Sequence, residues 1–208
     1  MGKILSVVSR AGLARFVEPV GRGLLRVGVS PNAVTVAGSI GVVIGSVGFA
    51  ARGHLLIALV IVTVCALTDL LDGTMARLRG GTTKWGGLLD STMDRISDSA
   101  VLCSLIYWFG TSGQQRAAAA ALLCLVAGHV ISYVRARAES LGFTANVGFA
   151  ERAERLIVIG VGGLIAGLGF KIALEIALWL LLALSLITIG QRMVHIHRQT
   201  LPANQEAS

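Results

Sequence analysis

The chain has 208 residues, of which 54% are hydrophobic and only 14% charged, and its mean hydropathy is +0.77. That composition excludes an ordinary water-soluble domain and fits one polytopic membrane domain, long enough for about six spans of roughly 20 residues plus a short extra segment. The net charge of +7 points to anionic lipid and membrane topology and not to nucleic acid, because Lys and Arg punctuate apolar runs and form no soluble basic face.

Residues 3–26 place Leu13, Phe16, Val17, Val20 and Leu24 on one helical stripe and Arg15, Arg22 and Arg26 on another, the pattern of an amphipathic helix lying in the membrane surface. This juxtamembrane segment takes up residues 1–28. The opening MGKILS fits the Met-Gly-x-x-x-Ser myristoylation pattern, but the match is short enough to arise by chance and a chain with several spans needs no acyl anchor. No cleavable signal peptide is expected, since the first apolar run is short and interrupted.

Ser30 followed by Pro31 is a helix-start signal and opens span one, which runs to Ala51. Span two is expected from His54 to Arg79 and span three from Lys84 to Phe109, joined by the tight GGTTK turn. Span four covers Gln115 to Leu141, span five Glu151 to Phe170 and span six Ile172 to Gln191. The expected fold class is all-α integral membrane, six transmembrane helices preceded by an N-terminal amphipathic interfacial helix. Residues 29–198 form one domain and residues 199–208 a disordered tail. Placing the N-terminus in the cytoplasm puts 15 of the 18 Lys and Arg residues on or toward the cytoplasmic side, leaving only Arg52, Arg116 and Lys171 outside. A multi-pass protein of the plasma membrane, with its site open to the cytoplasm, is expected. Cys65, Cys103 and Cys124 lie inside apolar stretches without ligand-like spacing and read as small core hydrophobes. Gly41-x-x-x-Gly45 and Gly163-x-x-x-Gly167 permit close helix contact, more readily within the bundle than at a dimer seam.

Residues 69–98 hold five of the eleven acidic residues. Counting from Leu55, a helix rising 1.5 Å per residue has climbed only about 20 Å at Asp69, short of a hydrocarbon core about 30 Å thick. Asp69 and Asp72, three apart, share one helix face; Asp90 and Asp94, four apart, share another, and the short turn makes the two helices antiparallel neighbours. Each charge at the bilayer centre costs roughly 2.5 to 3.5 kcal/mol, and four carboxylates also repel one another, so something must neutralise them. Salt bridges to Arg77, Arg79, Lys84 and Arg95 are the plain reading, yet those cations lie mainly at the membrane edge. Two divalent cations balance four Asp outright, and hard oxygen ligands without Cys or neighbouring His suit Mg²⁺ or Mn²⁺, a pairing that recurs in phosphoryl chemistry. Gly73 and Gly86 leave room for a ligand beside the carboxylates, and Arg77 lies on a similar face, placed to meet a phosphate oxygen.

The string DLLDGTMARLRGGTTKWGGLLDSTMD resembles the signature of the CDP-alcohol phosphatidyltransferase family, with Asp69, Asp72, Gly73, Ala76, Arg77, Gly86, Asp90 and Asp94 filling every signature position. The six-span layout with an amphipathic leader also resembles that family. The resemblance implies that a CDP-linked lipid binds with its pyrophosphate on the metals and that an alcohol attacks the lipid-side phosphorus to expel CMP. It implies that Asp69, Asp72 and Asp90 hold one metal and that Asp69, Asp90 and Asp94 hold the second. Asp94 doubles as the base for the acceptor hydroxyl. Gly73, Ala76, Arg77, Thr83, Gly86 and the segment Asn32, Ala33, Val34 and Thr35 are implied as contacts to CDP-diacylglycerol. A homodimer is implied as well.

Only 15 apolar residues separate Arg155 from Lys171, so span five must begin earlier and carry Arg152 and Arg155 into membrane depth. Glu151 and Glu154 are structural partners for them in the plain reading. In the functional reading Arg135, Arg137, Arg152 and Arg155, with Arg192 on span six, receive a phosphorylated acceptor. The segments ISYVRARAESLG and ERAERL resemble actinobacterial phosphatidylinositol phosphate synthases, which implies inositol 1-phosphate as acceptor; glycerol 3-phosphate, as in a phosphatidylglycerophosphate synthase, is the rival. Asp98 continues the acidic series, either toward an Arg of the acceptor pocket or in a buried ion pair. His129 is expected to bond between helices, and His195 and His197 to lie at the cytoplasmic surface. A divalent-cation transporter is the competing class, but the acids sit on one side of the midplane and mark no path across.

Overall fold

In a computed structural model of the chain, residues 17–145, 147–148 and 152–200 are described. Leu13, Phe16, the MGKILS pattern, Lys3, Arg10, Arg15, Glu151 and tail residues 201–208 lie outside them. All regular structure among the described residues is helical. Residues 17–26 are helical and are followed by α1 (Pro31–Gly48), a 3₁₀ turn (Ala50–Arg52), α2 (Leu55–Ala66), α3 (Thr68–Leu78), α4 (Lys84–Thr111), α5 (Gln115–Ser140), α6 (Arg152–Gly167) and α7 (Ile172–Thr200). Two compact units emerge, Met1–Phe49 with Val60–Val101 and Ala50–Leu59 with Leu102–Ser208.

In the first unit α1 begins as its sequence demands. The Ser30 hydroxyl accepts from the Ala33 N–H at 3.1 Å and Pro31 occupies the first helical turn, where its missing donor costs nothing. The helix packs against α3, and a stripe of its small residues meets the start of α3 and the residues of α2 before it. A Cβ at Gly38 would stand 2.0 Å from Thr68 Oγ1, at Gly41 2.4 Å from Cys65 Sγ, and at Gly45 2.7 Å from Ile61 Cγ2. The Gly41–Gly45 spacing therefore serves contact within the chain. The sequence predicts one helix from His54 to Arg79, whereas the structure divides it at Leu67. There the Thr68 hydroxyl donates to the Cys65 carbonyl at 2.6 Å and the Leu70 N–H bonds only three residues back, to Leu67, at 3.1 Å. The helix 17–26 meets α3 through buried Gly21, whose Cβ position lies 3.2 Å from Met75 Cγ.

In the second unit α5 offers a face of small residues, Ala117, Ala120, Ala121, Cys124, Ala127 and Gly128, all buried. It packs on α7, which supplies Leu174, Leu178, Leu181 and Ser185 at helical spacing. Approach is close enough for the Cys124 thiol to donate to the Leu178 carbonyl at 3.1 Å. α6 packs on α7 as well, through Gly162, whose Cβ position is 2.6 Å from Ala177 Cβ. This shifts the expected Gly163–Gly167 seam by one residue, since Gly163 faces open space while Gly167 is pressed on Leu56. α7 runs nine residues past the expected end at Gln191, to Thr200.

Among the described residues four stretches are long and apolar enough to cross a membrane, Pro31–Arg52, Leu55–Leu78, Gln115–Ser140 and Ile172–Thr200. The sequence predicts six. α4 carries Asp90, Asp94, Arg95 and Asp98 among its apolar residues, and α6 has only 16 residues, so neither meets the same standard by itself. Val60, Val64, Ile157, Ile176 and Phe170 are among many large apolar side chains left exposed, a surface suited to hydrocarbon and far larger than a soluble domain leaves bare.

Candidate active site

The carboxylate cluster belongs wholly to the first unit. Asp69 and Asp72 occupy successive turns of α3, and Asp90 and Asp94 successive turns of α4. Asp72 is buried, at 6% exposure, and accepts a hydrogen bond from the Thr35 hydroxyl of α1. Asp69 and Asp90 both lie near enough to Asp72 for their negative charges to bear on it, which brings one acid of α4 close to α3. Among the described residues no three Asp, Glu, His or Cys side chains are drawn into one coordination set. The donor chemistry nonetheless fits a hard dication, since every candidate ligand is a carboxylate oxygen, and Thr35 holds Asp72 in place as an outer hydrogen-bond partner does for a metal ligand.

The residues expected to contact the nucleotide gather around these acids. Thr83 caps α4, its hydroxyl accepting from the Gly86 N–H at 3.0 Å. The bare Cα of Gly86 leaves a slot bordered by Thr83 Oγ1 and Asn32 Oδ1, which would be 3.1 and 3.3 Å from a Cβ there. Asn32 thus reaches from the start of α1 to the start of α4, a meeting no local spacing announces. Val34 and Thr35 are buried in α1, whereas Ala33 is exposed and Ala76 half-buried. Arg77 folds back along α3, donating to Thr74 Oγ1 at 2.8 Å, with Nη1 3.6 Å from the Cβ position of Gly73. A guanidinium therefore covers the glycine that follows Asp72. Thr35, expected at the nucleotide, is placed on Asp72 instead.

Asp98 pairs with Arg95 of its own helix at 3.5 Å, the half-buried ion pair that was one of the two expectations for it. His129 Nδ1 donates to the Leu125 carbonyl of its own helix at 2.9 Å.

The arginine cluster lies in the second unit and is less uniform than expected. Arg135 and Arg137 are exposed on the last turns of α5, where Arg135 pairs with Glu139 at 2.9 Å and Arg137 donates to Ser140 Oγ at 3.4 Å. Arg152 and Arg155 open α6, half-buried and buried respectively, and Arg155 lies over Gly128, whose Cβ position is 3.8 Å from its Nε. Gly128 escapes a reading by motif because what it offers here is a missing side chain beneath a guanidinium from another helix. Arg192, expected to bind acceptor phosphate, is engaged by the main chain instead. At 2% exposure it donates from Nε to the Val147 carbonyl at 2.9 Å and from Nη1 to the Ile131 carbonyl at 2.8 Å. Two carbonyls take up donors that no periodicity in the sequence could have assigned. Beside them is a cleft of about 560 Å³ lined by Val147, Gly148, Gln191, Val194, His195 and Arg198.

Comparison with known proteins places this geometry in a family. Residues 28–194 match the family model described as CDP-alcohol phosphatidyltransferase. The chain is 44% identical over 193 residues to the phosphatidylinositol phosphate synthase of Mycobacterium bovis (strain BCG / Pasteur 1173P2), covering 91% of this chain and 89% of that one. It is 38% identical to the enzyme of the same name from Streptomyces avermitilis, covering 97% of this chain and 86% of that one. Among solved structures it resembles the Mycobacterium tuberculosis phosphatidylinositol phosphate synthase with CDP-DAG bound, with a TM-score of 0.86 and 42% identity over 91% of this chain and 96% of that one. The same enzyme in complex with manganese and citrate gives a TM-score of 0.84 at 42% identity, over 90% of each chain. Matched by the family model over most of its length, and carrying the complete carboxylate signature on α3 and α4, the chain belongs to the CDP-alcohol phosphatidyltransferase family.

Proposed function

We propose that this protein transfers the phosphatidyl group of CDP-diacylglycerol to inositol 1-phosphate, giving phosphatidylinositol phosphate and CMP. The supporting observation is the carboxylate pairing of the first unit, where Asp72, tied to Thr35, feels the charges of Asp69 and Asp90. In this reading Asp69, Asp72, Asp90 and Asp94 hold two divalent cations, Mg²⁺ or Mn²⁺, which when bound neutralise the carboxylates and polarise the phosphate oxygens.

The chain's own residues do the rest. Asn32, Ala33, Val34, Gly73, Ala76, Thr83 and Gly86 border the nucleotide, with the glycines leaving room for it. Arg77 swings from Thr74 to a phosphate oxygen, exchanging a neutral partner for a charged one and gaining a stronger bond. Asp94 accepts the proton of the acceptor hydroxyl. The hydroxyl oxygen then bonds to the lipid-side phosphorus as the pyrophosphate bridge breaks, and the bridging electron pair leaves with CMP.

Arg152 and Arg155 take the acceptor's phosphate. The first turn of α6 carries two cations against one acid, Glu154, at the positive end of the helix dipole, and a bound anion offsets the excess. Arg135 and Arg137 draw the same anion from the end of α5, and Arg192 holds the main chain nearby. The wider setting has residues 1–28 as an interfacial helix and a six-span domain from residue 29 that runs to Thr200, two residues past the expected boundary at 198. That domain lies in the plasma membrane with its site toward the cytoplasm, as a homodimer. The acids that bring α4 below the apolar standard are residues a reaction at membrane depth requires.

The test is an assay of purified protein with CDP-diacylglycerol, Mg²⁺ and labelled acceptor. Label from inositol 1-phosphate is expected in lipid, with CMP released in equal amount and EDTA abolishing both. Incorporation of glycerol 3-phosphate without inositol 1-phosphate would overturn the choice of acceptor. Cation flux into proteoliposomes without CDP-lipid would revive the transporter reading.

A further inference from the structure

The connection between α5 and α6 is fastened to α7 at three successive points, and α6 begins four residues after the last. At the first, one carboxamide serves both main-chain groups of Thr144. The Thr144 N–H donates to Gln199 Oε1 at 2.9 Å, and Gln199 Nε2 donates to the Thr144 carbonyl at 2.7 Å. The Thr144 hydroxyl adds a third bond to the same Oε1 at 3.1 Å. At the second point Arg192 takes the Val147 carbonyl. At the third, Gly148, with a φ of +124°, lies where a Cβ would approach Thr188 Cγ2 to 2.3 Å, so only glycine fits both the backbone and the space.

Four residues span at most about 14 Å, so pinning residues 144–148 limits where Arg152 and Arg155 can stand. A single hydrogen bond at an exposed position is worth little, but a carboxamide that satisfies a donor and an acceptor of one residue also fixes its orientation.

We propose that Gln199 is a positioning residue for the transfer reaction. Through Thr144 it sets the path of the strap that delivers Arg152 and Arg155, and thereby the affinity for the phosphorylated acceptor. The role rests on the assignment of those arginines to the acceptor's phosphate made above. Gln199 lies beyond the expected end of the last span, touches no charged group of the site and belongs to no signature. Glutamine is the required residue here because glutamate lacks the donor and methionine lacks both groups.

The experiment compares Gln199→Met, Gln199→Glu and Arg155→Ala in full-length protein. It measures KM for inositol 1-phosphate and for CDP-diacylglycerol, and amide hydrogen exchange over the peptide containing Thr144. Gln199→Met should raise the acceptor KM about tenfold, the scale of one or two lost hydrogen bonds, and shift the CDP-lipid KM less than twofold. Exchange at Thr144 should quicken. Gln199→Glu, which keeps an acceptor for the Thr144 N–H, should fall between Met and wild type in both readouts, and it serves should the Met variant not fold. Unchanged exchange at Thr144 in both variants would overturn the clamp. Faster exchange with an unchanged acceptor KM, while Arg155→Ala still raises it, would overturn the positioning role and leave the acceptor pocket standing. An unchanged acceptor KM in Arg155→Ala would overturn the pocket and with it the role of Gln199.

Discussion

The two charged regions solve the burial of ions in opposite ways. In the first unit the acids of α3 and α4 have the same sign, so they cannot satisfy one another; a hydroxyl from Thr35 meets Asp72 but brings no charge. In the second unit the arginines come from α5, α6 and α7, and several already have partners within the chain, Glu139 for Arg135 and two carbonyls for Arg192. A guanidinium has five donors and is readily satisfied by main-chain oxygen, whereas a carboxylate among carboxylates needs a cation. An aspartate held among other carboxylates, as Asp72 is, therefore favours a bound cation, whereas a buried arginine carries no such reading until its hydrogen bonds have been traced.

That contrast is sharpest at Asp94. Asp94→Asn should lower turnover about a thousandfold or more, because the amide neither accepts the hydroxyl proton nor ligates metal well; CMP release under saturating substrates is the measurement, and retained activity would remove the base from the first unit. Next in size, Arg155→Ala should raise the acceptor KM about fiftyfold, the scale of a lost charge-assisted pair, while the CDP-lipid KM moves less than about threefold. Equal effects on both substrates would erase the functional distinction between the regions. Thr35→Val keeps the shape but removes the donor to Asp72, and the Mg²⁺ concentration for half-maximal activity should rise about tenfold, as for other outer-shell partners of metal ligands. A metal titration in which wild type and variant coincide would show Asp72 to be held without Thr35. Smallest, Arg135→Ala should raise the acceptor KM only about threefold, since an exposed arginine already paired with its own helix contributes little; an effect matching that of Arg155→Ala would make the cluster as uniform as the sequence suggests.

Much of the first unit was legible because its information is local. Asp69, Asp72, Asp90 and Asp94 declare shared faces by spacings of three and four. Helix starts at Pro31, Lys84, Gln115 and Ile172 fall where the sequence puts them. What escaped depends on partners far away in sequence. Gln199 and Thr144 are 55 residues apart, and neither stands out beside its neighbours. Arg192 looked like a phosphate ligand because composition shows a cation and conceals the carbonyls of Val147 and Ile131. α7 outran its expected end because hydropathy stops at Gln191 while polar helix formers and side-chain contacts continue the helix to Thr200.

The meeting of Gly38 with Thr68 acts as a gauge of rotational phase. Each residue turns a helix by about 100°, and Thr35 and Gly38, almost one turn apart, point to the same side of α1. The hydroxyl of Thr68 can enter only where a methyl is missing, so α1 has one angular setting, and it is the setting that aims Thr35 at Asp72. The orientation of Asp72 is thus inherited from a steric fit one turn further along, made by a residue with no side chain at all.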